Sequence, residues 1–182
     1  MKNIALVVLV GCFTIVCYGQ GFHCTPVYHA QDDLIALNNF WHTQIPICQI
    51  SPGSNNAYAD KANGVVWADQ TWLDGIAQRY GSWAATGILA HEFGHMVQGN
   101  VGGTAAELQA DCLAGVFMKG AGLPWQDVEQ FAGSNFAAGD PWASMNGHGT
   151  GLQRVNAAHR GYYGYSGQTG TYLVALCPAS AF

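Results

Sequence analysis

Residues 88–98 read ILAHEFGHMVQ, an apolar run in which two histidines stand four apart and a glutamate follows the first. No proline interrupts residues 82–98, so one long helix can carry them. Positions four apart differ by about 40° around a helix axis, which puts His91 and His95 on one face. Leu89, Phe93, Met96 and Val97 supply the side that anchors the helix in a core.

Two imidazoles so placed can reach one tetrahedral zinc ion at about 2.0–2.1 Å. Glu92 is adjacent to His91 but angled aside, which suits a general base acting on a water that zinc activates. With seven histidines and three glutamates in 182 positions, this spacing arises by chance about once in two hundred such chains.

A catalytic zinc takes three protein ligands and leaves a position for water. The metzincin pattern would need glycine and histidine where Gln98 and Val101 stand, so it fails. Glu107 is the candidate third ligand, because the glycine-rich residues 99–103 can fold the next helix back against the first. Asp111, four residues on, shares its face and can accept the second ring N–H of a ligating histidine. The alternative role for Glu107 is a capping box with Thr104.

Flanking segments read mainly as helices. Residues 32–44 place Leu34, Leu37, Phe40 and Trp41 on one side, and residues 64–69, GVVWAD, read as a short strand. Helices follow over 70–81, over 82–100 with Ser82 as candidate N-cap, and over 104–120 between Thr104 and Gly120. Pro124 opens another helix to about Asn135, and residues 150–163 form the last, with Thr150 a candidate cap. TYLVAL, residues 171–176, is a possible strand. The expected fold is mainly α (α+β), a zincin-like helical domain with a small strand element lining the cleft.

The chain is long enough for one domain with its own core. Apolar residues make up 49% and charged residues 9% of it, the latter well under the usual quarter. Net charge is −5, and the six Lys and Arg are scattered, which excludes a nucleic-acid surface.

The N-terminus has one lysine and an apolar run over residues 4–18, short for a membrane span and suited to a signal peptide ending at residue 19. LVGC, residues 9–12, offers a lipid anchor through Cys12 as the alternative. Removal of residues 1–19 leaves Cys24, Cys48, Cys112 and Cys177, an even set that reads as disulfides in an exported protein, with three possible connectivities. The division is then a leader over 1–19, an N-terminal segment over 20–63 packed on the domain, and the domain itself over 64–182. The sequence points to a secreted or periplasmic location, with no stable membrane span in the mature chain.

HEFGHMVQ, ELQADCLAGVF and HGTGLQR, in that order, resemble the bacterial neutral zinc metallopeptidase family, a gluzincin-like group, over roughly residues 64–177. The resemblance implies that His91, His95 and Glu107 bind one Zn²⁺, that Glu92 is the base, and that Asp111 supports a ligand. It implies oxyanion stabilisation by His148 and a structural or site-contacting role for Arg154. It also implies a Cys112–Cys177 disulfide. Eleven residues separate His95 from Glu107 where the family often carries longer insertions.

His148 lies between glycines and reads equally as an exposed loop residue, while His23, His29, His42 and His159 read as structural or solvent-facing. Tyr162, Tyr163 and Tyr165 are further candidates for an oxyanion donor. The function expected is a secreted zinc endopeptidase acting on a peptide or protein substrate. The rivals are a non-catalytic zinc-stabilised binding module and a hydrolase of cell-wall peptides.

Overall fold

A computed structural model describes residues 24–182; the leader, Cys12 and His23 lie outside the described residues. Helix α4 (Gly103–Gly120) is the axis of the fold, with every residue from 108 to 118 buried. Helices α3 (Ser82–Val97), α5 (Trp125–Ala138) and α6 (Gly151–Gly164) pack around it and around each other. Phe93 and Leu89 of α3, Leu113 and Phe117 of α4, Phe131 of α5 and Ala158 of α6 share one core. Two glycines set how closely these helices approach. A Cβ on Gly161 would collide with the carbonyl oxygen of Cys112, and one on Gly94 would lie 3.0 Å from the Cα of Ala110. Backbone therefore meets backbone on both sides of α4.

Helix α1 (Gln31–Trp41) buries Leu34, Leu37, Phe40 and Trp41 in the same core. Helix α2 (Gln70–Tyr80) is capped by Asp69, whose carboxylate accepts from the N–H groups of Thr71 and Trp72 and also from Gly53 and Asn55. The sheet has three strands, β1 (Ile47–Gln49), β2 (Ala57–Asp60) and β3 (Val65–Ala68), in the order β1-β3-β2. β1 runs parallel to β3, and β2 antiparallel to it with Tyr58 opposite Trp67. The fold is thus mainly helical with a small strand element, and its edge strand β2 packs on α3. Among the described residues no helix is long and apolar enough to cross a membrane.

Three local expectations are corrected. TYLVAL is a 3-10 helix (Thr171–Leu176), not a strand. It starts after Gly170, at φ 116°, and ends at disulfide-bonded Cys177, so it follows the bundle surface instead of a sheet edge. Thr104 does not cap α4; the cap position is Gly102, and the Thr104 hydroxyl lies 2.6 Å from the carbonyl oxygen of Ser144. Ser82 is the first residue of α3, not its cap, which is Gly81. Thr150 does cap α6, through a reciprocal box with Gln153.

The disulfides are Cys24–Cys48 and Cys112–Cys177. The second ties the C-terminal segment to α4 across 65 residues, a closure worth about 4 kcal/mol in chain-entropy terms. Replacing both Cys112 and Cys177 with alanine should lower stability by that order, read as a fall in the urea midpoint under non-reducing conditions. An unchanged midpoint would show that packing alone holds the tail.

Candidate metal centre

The site is assembled where α3 and α4 lie against each other. His91 and His95 point from α3 towards Glu107 in the second turn of α4, and ligand atoms of the three lie within 4.8 Å of one another. The two Nε2 atoms are 3.0 Å apart. Glu107 straddles them, with Oε2 at 3.4 Å from His91 Nε2 and Oε1 at 3.4 Å from His95 Nε2. Tetrahedral ligands at zinc distances sit about 3.3–3.4 Å apart. The three side chains therefore form a group that can hold a metal ion.

A second layer fixes His91. Its Nδ1 donates to Asp111 at 2.8 Å, so in the neutral, ligating ring Nε2 is the bare nitrogen, facing Glu107. Asp111 is fully buried and accepts from three helices. Arg154 of α6 binds it through two nitrogens at 2.8 and 2.9 Å, and Asn135 of α5 donates at 2.7 Å. Burial opposes the charge on Asp111, but Arg154 and His91 outweigh it and hold its pKa below the usual range.

The cluster carries the charge of a divalent-cation site. With all three carboxylates ionised and both imidazoles neutral, Glu92, Glu107 and Asp111 set three negative charges against the one of Arg154, leaving −2. Protons respond to that excess. Burial pushes the His91 pKa down, yet the charges and hydrogen bonds of Asp111 and Glu107 raise it to about 10. Burial likewise raises Glu107, but hydrogen bonds from both histidines pull it far below the carboxylate range. A divalent ion placed among these groups would displace the proton and satisfy the same field.

Glu92 is buried beside the group, and burial lifts its pKa to about 7 against the opposing charge of His91. Its carboxylate accepts the N–H of Ala59, on β2. The surrounding cleft is about 730 Å³, with β2 and Lys61 on one side and Asn146, Gly147 and His148 on the other. The loop bearing His148 is pinned to α4, since Thr104 N–H donates to the carbonyl oxygen of Met145 and the Thr104 hydroxyl accepts from Gly147 N–H. His148 sits exposed at the cleft mouth.

The structure thus brings His91, Glu92, His95, Glu107, Asp111 and Arg154 together and leaves His148 at the rim. It places the three candidate tyrosines elsewhere. Tyr162 and Tyr163 stack with Trp125, and Tyr165 packs on Phe40, outside the cleft lining. His29 bonds Asp74, His42 bonds Thr169, and His159 packs on Tyr163. Sequence reasoning missed Asn135, Lys61, Tyr58 and Gln98. Only Gln98 carried a local signal, three residues after His95 and so on the same helical face. No family model matches the chain, and no curated protein or solved structure matches it significantly.

A divalent ion such as zinc should load at one equivalent on titration and raise the melting temperature. A hundredfold excess over Kd contributes about 2.7 kcal/mol. Glu107→Ala should lose the stoichiometric metal and the thermal shift, as read by elemental analysis and calorimetry. Full retention of both would leave Glu107 outside the metal set.

Proposed function

We propose that this protein is an exported zinc-dependent endopeptidase, akin to the bacterial neutral zinc metallopeptidases that its motifs resemble. The observation that carries this reading is the position of Glu92. Its carboxylate is buried next to the metal-binding group and bonded to the cleft-side edge strand, where a base is needed for peptide hydrolysis and a purely structural metal site needs none. The two disulfides support export, because such bonds persist in oxidising compartments.

The edge strand supports a peptide substrate. Asn56 turns its carbonyl to the Asp69 N–H at 2.9 Å. By the alternation of an antiparallel pair, Ala57 and Ala59 turn their backbone groups away from β3 and towards the cleft. Ala59 spends its N–H on Glu92, so its carbonyl and the groups of Ala57 are positioned for an extended chain laid along β2.

Zinc held by His91, His95 and Glu107 would supply Lewis-acid activation of water and of the scissile carbonyl. Glu92 accepts the proton of the attacking water and returns it to the leaving nitrogen, a task suited to a carboxylate whose burial raises its proton affinity. Asp111 keeps the proton of His91 on Nδ1 throughout, and Arg154 keeps Asp111 ionised and oriented. His148, at the cleft mouth, is the candidate donor to the developing oxyanion.

Glu92→Gln should keep one zinc per chain and lose cleavage of a diverse peptide mixture by about 10²–10⁴-fold, read by mass spectrometry. Equal cleavage by both proteins would remove Glu92 from the chemistry. Absence of cuts by zinc-loaded wild type would favour a non-catalytic binding module.

A further inference from the structure

Gln98 ends α3 in an extended conformation, with its N–H donating to the carbonyl oxygen of Gly94 at 2.9 Å. Lys61, in the turn between β2 and β3, donates to the carbonyl oxygens of Gln98 and Gly99 at 3.5 and 3.2 Å. The backbone here is therefore fixed from both sides. The side chain is 5% exposed and folds back so that its Nε2 lies 2.8 Å from His95 Nδ1. The other end of the same amide, Oε1, is buried without a partner.

That orientation is at odds with metal ligation by His95. If the amide nitrogen donates to Nδ1, then Nδ1 accepts and a neutral imidazole carries its proton on Nε2. Yet Nε2 is the atom that faces His91 Nε2 at 3.0 Å and Glu107 at 3.4 Å. A neutral histidine ligates a metal only through its bare nitrogen. Rotating the Gln98 amide by 180° gives Oε1 the partner it lacks. It also moves the imidazole proton to Nδ1 and frees Nε2 for the metal.

We propose that Gln98 is a positioning residue of the metal centre, whose amide oxygen accepts the Nδ1–H of His95 and so holds the tautomer that presents Nε2. This rests on reading His91, His95 and Glu107 as a zinc site. Gln98 then does for His95 what Asp111 does for His91, from the end of the same helix that carries both ligands.

The test is zinc affinity by competition with a chromophoric chelator, on the disulfide-intact chain, for wild type, Gln98→Leu and Gln98→Glu. Leucine fills similar space but cannot accept, and should weaken zinc binding about 10–100-fold. Glutamate accepts more strongly and should bind zinc at least as tightly as wild type, a rescue that packing alone cannot produce. Long-range ¹H–¹⁵N spectra of zinc-loaded wild type should show the His95 proton on Nδ1. Leucine binding as tightly as wild type, or leucine and glutamate equally impaired, would overturn the proposal, as would a proton on Nε2. A wild type that binds no zinc would overturn the metal reading, and this proposal with it.

Discussion

A single buried carboxylate, Asp111, holds the site and much of the bundle in register. It sits on the axial helix α4 and takes hydrogen bonds from α3 through His91, α5 through Asn135 and α6 through Arg154. Bringing Asp111 and Arg154 out of water costs several kcal/mol for each ion, and two charge-assisted bonds with good geometry are needed to offset it. A hydrophobic pair of equal volume would stabilise the bundle at least as well. The energetics of folding therefore do not explain this choice of residues. What the ion pair provides is orientation, because Asp111 cannot turn without leaving Arg154 unpaired, and His91 cannot change tautomer without losing Asp111.

The same logic extends to charge. A helical core with so few ionisable groups has concentrated three carboxylates and one guanidinium at one place, against glycine contacts that press α3 and α4 together. The close contact at Gly94 and Ala110 places α4 near enough for Glu107 to straddle both histidines. A larger residue at Gly94 would separate the helices and open the ligand triangle. Packing and metal geometry are consequently one constraint.

The parts of this arrangement legible in the sequence are those with helical period. His91 and His95, and again Glu107 and Asp111, declare a shared face by their spacing of four, and Thr150 with Gln153 declares a cap within one turn. Strands β1 and β2 were not legible. Three or four residues are too few to show alternation, and β1 finds β3 only across the intervening β2 segment. Thr104 misled for a related reason. Its spacing to Glu107 satisfies a local capping pattern, but its hydroxyl is taken by a loop forty residues away and Glu107 is drawn to the histidines. TYLVAL has strand propensity, yet its position between Gly170 and the anchored Cys177 decides its conformation. In each case a contact distant in sequence overrode a local preference.

The cleft combines a rigid floor with walls held by few bonds. Its floor is helical and tied at Asp111, whereas one wall, the 139–149 loop, is held to α4 chiefly through Thr104 and internally through Asp140 to Gly149 N–H. The opposite wall, β2, meets α3 through the bond of Ala59 to Glu92 and through Lys61 at the end of the helix. One of those attachments is Glu92, the base in the proposed reaction. On the proposed reading, a peptide that displaced β2 would therefore remove a donor from Glu92 and raise its proton affinity, while one that added to β2 would leave that bond intact. The position of the edge strand is thus coupled to how strongly Glu92 holds its proton, through one hydrogen bond.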